Sequence, residues 1–237
     1  MSHTSQRRGL SPDRPGEELI VLAMVQGKAK SKAGVAEAMS ELAEKMLARG
    51  PQNWLSRTFP DLDVPQLGWK QPLLRWLHGR RPAETEAMLF RAVAEQSSVL
   101  TALYTDPEKV VALLHDLQGD WLDRNRKLGL PISIVLSGLF HDTHECCQKA
   151  GLTEHTYLHS LGFHGRADRL PGPTELELVT MCGHGLVSIN RVKDLADQIR
   201  RREITPDQAA EEMAKPCICG IVNRERAARV FQKLAEG

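Results

Sequence analysis

Three cysteines of this chain stand in two glycine-punctuated clusters, Met181-Cys182-Gly183-His184-Gly185 and Pro216-Cys217-Ile218-Cys219-Gly220, and the remaining two, Cys146 and Cys147, are adjacent. All five lie after position 145, a crowding of thiols that core packing does not require. Cysteine ligates soft and borderline metals as the thiolate, so this layout is that of an iron–sulfur or zinc site. Gly183 and Gly220 let the backbone approach closely enough for N–H groups to face a cluster sulfur or another anion. The expected ligands are Cys182, Cys217 and Cys219, with Gly183 and Gly220 shaping the loops around them.

Three thiolates leave one position to be filled. His184 would complete a Cys3His tetrahedron of the kind seen in structural zinc sites. Cys146 or Cys147 would supply a fourth thiolate to an iron–sulfur cluster, here read as 4Fe-4S. A third arrangement leaves one iron open, and a lyase or oxidoreductase could polarise a small substrate there. Six of the nine histidines fall between positions 141 and 184. Within that stretch His184, His144 and Glu145 are the residues placed to move a proton on a bound substrate. The iron–sulfur reading is preferred to zinc because zinc modules usually pair close CxxC or HxxxH ligands in folds too small to stand alone. The spacing matches neither a zinc ribbon nor a ferredoxin run.

For the clusters to meet, the chain between them must turn back on itself. Ser188 is an N-cap, and Ile189, Val192, Leu195, Ala196 and Ile199 form one apolar helical face ending near Arg202. Thr205-Pro206, with Gln208 at the third helical position, opens a second helix that Pro216 closes. This hairpin returns Cys217 and Cys219 towards Cys182. Asn223 then caps a last helix through Ala227, Val230, Phe231 and Leu234. Both clusters thus precede helix N-termini, whose free N–H groups and positive dipole end favour thiolates.

Upstream, residues 1–16 read as a polar, mobile tail and residues 17–130 as a helical N-terminal part. Val35–Leu47 has helical periodicity that stops at Gly50-Pro51. Residues 51–82, with five prolines and three tryptophans (Trp54, Trp69 and Trp76), form an irregular connector. A helix is expected from Ala83 to Tyr104, a third from the Asp106-Pro107 cap, and another over 132–149 carrying His141, His144, Glu145, Cys146 and Cys147. Glu175–Thr180 alternates like a short strand. No internal repeat or low-complexity tract stands out. Residues 131–237 form the cysteine- and histidine-rich part, and the whole is expected to be mainly α.

Composition narrows the function further. Thirty-one basic against 30 acidic side chains give a formal net charge of +1, which offers no field for nucleic acid or an anionic membrane. No apolar run approaches the roughly 20 residues of a membrane span. An odd number of cysteines without a secretory leader fits a reducing cytoplasm. The partner is then a redox protein or a small-molecule substrate. The alternative to a cluster protein is a zinc-stabilised interaction module that presents the tryptophan-rich segment.

Overall fold

The computed structural model describes residues 7–29, 31–55, 83–160, 162 and 164–236. The chain divides into two compact bodies: residues 15–153 with 218–220, and residues 1–14 with 154–217 and 221–237. Among the described residues there are nine α-helices and one four-stranded sheet. The expectation of a mainly helical fold therefore holds in its coarse form, and the sheet is an addition to it. No helix among the described residues is long and apolar enough to cross a membrane.

The first body contains β1 (Leu19–Val25), α1 (Val35–Ala48), β2 (Asn53–Trp54), α2 (Ala83–Gln96), β3 (Val99–Tyr104), α3 (Pro107–Leu117), α4 (Asp120–Lys127), β4 (Ile132–Ser137) and α5 (Phe140–Lys149). The sheet order is β2-β3-β1-β4, and every pairing is antiparallel. Leu19, Val21, Ala23 and Val25 alternate along β1 and send one face into a core with Leu42, Met46, Phe90, Leu113 and Tyr104. Six of the seven β1 residues are buried, which is why this strand reads as a continuous apolar run and not as an alternation.

Two long helical expectations are shortened by strands. The helix expected over 83–104 ends at Gln96 and continues as β3, while the one expected over 132–149 is β4 followed by α5. Ser137 ends β4, and Gly138-Leu139 connects it to α5. The Asp106-Pro107 start of α3 is as expected, with the Asp106 carboxylate accepting from the Glu108 N–H at 3.0 Å. Most of the Trp- and Pro-rich connector, residues 56–82, lies outside the described residues. Trp54 belongs to β2 at the sheet edge.

Residues 218–220 rest against this sheet edge. The Thr101 hydroxyl donates to the Cys219 carbonyl, and Gly220 adopts φ +62°. A Cβ at Gly220 would stand 1.8 Å from the Trp54 carbonyl oxygen, closer than any real contact. Only glycine satisfies both the left-handed backbone and this approach. Replacing Gly220 with Ala is therefore expected to cost about 2 kcal/mol or more, read as a drop in the thermal midpoint, whereas Gly27→Ala, with no atom within 4 Å of the added Cβ, serves as the mild control.

The second body is built from α6 (Pro173–Thr180), α7 (Ile189–Arg200), α8 (Pro206–Ala214) and α9 (Arg224–Glu236). The stretch 175–180, expected to be extended, is helical. Pro173 takes the first turn, and the Glu175 carboxylate reaches back to accept from the Gly172 N–H at 2.7 Å. Of the stretch read as a tail, residues 7–14 also belong to this body. Arg8 N–H donates to the Thr180 hydroxyl at 3.0 Å, and Arg7 donates to the Met181 carbonyl.

Candidate functional site

Each helix that follows a cysteine cluster is capped as its sequence implies. Ser188 Oγ accepts from Asn190 N–H at 3.2 Å to start α7, and Asn223 Oδ1 accepts from Arg226 N–H at 3.0 Å to start α9. Between them, Thr205 and Gln208 form a reciprocal capping box at the head of α8. The α7–α8 hairpin carries the chain out and back, so that Cys217 meets Cys182. Both sulfurs are buried.

The pair is held as thiolate and thiol. Hydrogen bonding from Cys217 is the largest influence on Cys182; burial opposes it, and the backbone N–H groups of Leu186 and His184, with the His184 charge, add to it. Together they lower the Cys182 pKa from its ordinary value near 9 to about 6. At neutral pH Cys182 is anionic although its side chain has left water. That is the state in which cysteine is a nucleophile or a metal ligand.

The other sulfur-bearing helix is different. Cys146, buried on α5 of the first body, has its pKa pushed up to about 11 by burial, then by Cys147 and Glu145, so its thiol stays protonated. The thiol donates to the Pro107 carbonyl at 3.9 Å. Cys147 beside it is partly exposed. On the same helix His144 approaches Gln148 at 2.9 Å and stacks on Phe140, while Glu145 pairs with Lys149 at 3.1 Å. His144 and Glu145 thus make local contacts along α5. His184 is exposed and lies on the Cys182 loop. Among the described residues no three His, Cys, Asp or Glu side chains are gathered closely enough to hold a metal ion, so the thiol pair is the assembled part of the site.

The structure also brings out a repeat that is faint in the sequence. Residues 182–188 (CGHGLVS) and 217–223 (CICGIVN) correspond at an offset of 35. In each, cysteine is followed by a donor residue, His184 or Cys219, and then by a glycine at φ +67° or +62°. A buried valine (Val187 or Val222) and an N-cap (Ser188 or Asn223) complete the loop. The helix before each loop begins with Pro at its first turn and has a third-position side chain, Glu175 or Gln208, accepting from the N-cap N–H, and the correspondence extends to buried Leu178 and Met213 and to Glu177 and Glu212.

Two ion pairs cross between the halves reciprocally. Arg226 of the second half reaches Glu177 of the first at 3.0 Å, and its counterpart Arg191 reaches Glu212 of the second at 3.3 Å. Such an exchange, in which i meets j and j meets i, is the mark of a twofold relation. Cys182 and Cys217 are the corresponding cysteines of the two halves and hydrogen-bond to each other.

The two ion pairs differ in burial, and this separates their energetics. Arg226 is 1% exposed and also donates to the Arg8 carbonyl at 2.8 Å, whereas the Arg191 pair lies at the surface. Arg226→Ala should cost on the order of 3 kcal/mol by orphaning Glu177 in a partly buried site, while Arg191→Ala should cost under about 1 kcal/mol. Urea titration of both variants checks the contrast. A second expectation concerns pH. A thiol whose folded pKa lies below its unfolded value adds stability that is complete above about 9 and is lost as pH falls through about 6. Metal-free protein should therefore weaken on going from pH 9 to pH 6, and Cys182→Ser should flatten that dependence.

Comparison with protein-family models, with curated proteins and with solved structures returns no match for this chain.

Proposed function

We propose that this chain binds an iron–sulfur cluster through Cys182, Cys217 and Cys219, serving electron transfer, sensing or small-molecule chemistry at the cluster. The observation that carries the reading is the buried Cys182–Cys217 pair, one sulfur already anionic and faced by the N–H groups of residues 184 and 186. Backbone N–H donors to sulfur are the means by which proteins stabilise a cluster and set its potential. Cys219, two residues beyond Cys217 on a glycine-bearing loop, supplies the third thiolate. Zinc in a Cys3His set is the second reading; His184 on the Cys182 loop favours it, because imidazole is a common zinc donor.

For the cluster reading, Cys146 differs from Cys182 in being a thiol kept protonated by its surroundings, which disfavours it as a ligand. A redox partner protein or a small molecule would then be the other participant. Protein purified without oxygen should be brown and carry about four irons and four sulfides per chain. Cys182→Ser and Cys217→Ser should each lower the bound iron by on the order of tenfold or more, while Cys146→Ser leaves it near the wild-type level. Colourless protein holding one zinc would replace the cluster by the zinc reading.

A further inference from the structure

We propose that Cys182 and Cys217 form a redox-active dithiol: a small hydroperoxide oxidises Cys182, and Cys217 closes a disulfide onto it. This goes beyond the cluster reading and does not rest on it, because the chemistry needs the two sulfurs and no metal.

The contact between the sulfurs carries the argument. The Cys182 sulfur accepts from the Cys217 thiol and from the N–H groups of Leu186 and His184, so a nucleophilic sulfur stands with a second sulfur already against it. Each residue is only 2% exposed. That burial selects the oxidant: a disulfide the size of oxidised glutathione has to bring its S–S bond in line with a sulfur that has left the surface, whereas hydrogen peroxide is two heavy atoms. The open side of the pair is the Cys182 loop. His184 and Leu186 are exposed there, and no atom beyond its chain neighbours lies within 4 Å of a Cβ placed at Gly185. The same openness lets Cys182 make the small movement from a hydrogen-bonded to a bonded sulfur pair. Cys146 and Cys147, by contrast, are adjacent on α5, where successive side chains diverge and the geometry of a disulfide is not met.

The steps balance. The Cys182 thiolate attacks one peroxide oxygen, the O–O bond breaks, and the other oxygen leaves with the Cys217 proton as water. Cys182 is then a sulfenic acid. The Cys217 thiolate attacks that sulfur, the S–S bond forms, the S–O bond breaks, and hydroxide leaves to take a proton from solvent. Two electrons have passed from the sulfurs to the peroxide. Because the resolving thiol is in contact from the start, the sulfenic acid is trapped before it can be oxidised further.

The test uses the full-length chain, stripped of iron and zinc by chelation and reduced with dithiothreitol that is then removed. Hydrogen peroxide in small excess should remove two of the five thiols, counted by alkylation after denaturation, and peptide fragmentation should join Cys182 to Cys217. Dithiothreitol should restore all five, which separates a disulfide from sulfinic acid. In Cys217→Ser protein the peroxide should instead leave a sulfenic acid on Cys182 that dimedone captures. Oxidised glutathione at equal concentration should form the link on the order of tenfold more slowly than hydrogen peroxide. Five thiols surviving the peroxide, or a link that runs through Cys147 or Cys219, overturns the dithiol, and an equally fast reaction with oxidised glutathione overturns the choice of oxidant. Iron and zinc uptake by the untreated chain is scored separately, so the failure of either reading leaves the other standing.

Discussion

A sulfur carrying negative charge inside a protein persists only where N–H donors and a partner thiol replace the water it has lost. Cys182 meets that condition, and much of the second body follows from it. The donors are backbone N–H groups of residues 184 and 186 in the loop that leads into α7, and the partner thiol arrives from the loop that leads into α9. To bring it there the chain needs two helices of opposite direction between the loops, each with a firm start. Ser188, Thr205 with Gln208, and Asn223 provide those starts.

The same requirement explains why the halves resemble each other. A loop that ends in an N-cap, passes through a glycine at positive φ and opens with a cysteine is one solution to presenting a sulfur ahead of a helix start, and the chain uses it twice. Crossing ion pairs then tie each half to the other. Arg226, almost wholly buried, needs both Glu177 and the Arg8 carbonyl, which also fixes the N-terminal stretch onto α6. Arg7 donating to the Met181 carbonyl holds the residue next to Cys182 from the same direction.

What could be read from the sequence was what short-range chemistry determines. The caps at Asp106, Ser188, Thr205 and Asn223 were legible because an oxygen two or three residues ahead of a free N–H is a local event. The hairpin that unites Cys182 with Cys217 followed from those caps. The strands were not legible. β1 and β3 are buried on both faces, so their residues show no period of two, and β3 continues directly from α2 after a gap of two residues. In α6 the alternation of Glu175 and Glu177 with Leu176 and Leu178 imitates a strand over four residues, too few to separate the two periods; the Glu175 contact to Gly172 decides it. The repeat escaped notice because its matches are chemical and not literal. His stands for Cys, Ser for Asn and Leu for Ile, while the opening prolines lie at unequal distances from their cysteines.

The two loops are equivalent in path but not in freedom, and the difference gives them different parts to play. Gly220 is clamped, for any Cβ there would strike the Trp54 backbone, and Ile221 and Val222 beside it are buried. Gly185 has open space around it, and Leu186 is 43% exposed where its counterpart Ile221 is 1% exposed. A rigid loop fixes where its side chains stand, because they lose little freedom on making a contact. An open loop can adjust to a partner, at an entropic cost. The second loop therefore sets the position of Cys217, and the first, with the Cys182 thiolate already in contact with it, is the one free to adjust. That asymmetry leaves the two thiols assembled between one fixed loop and one that can still adjust.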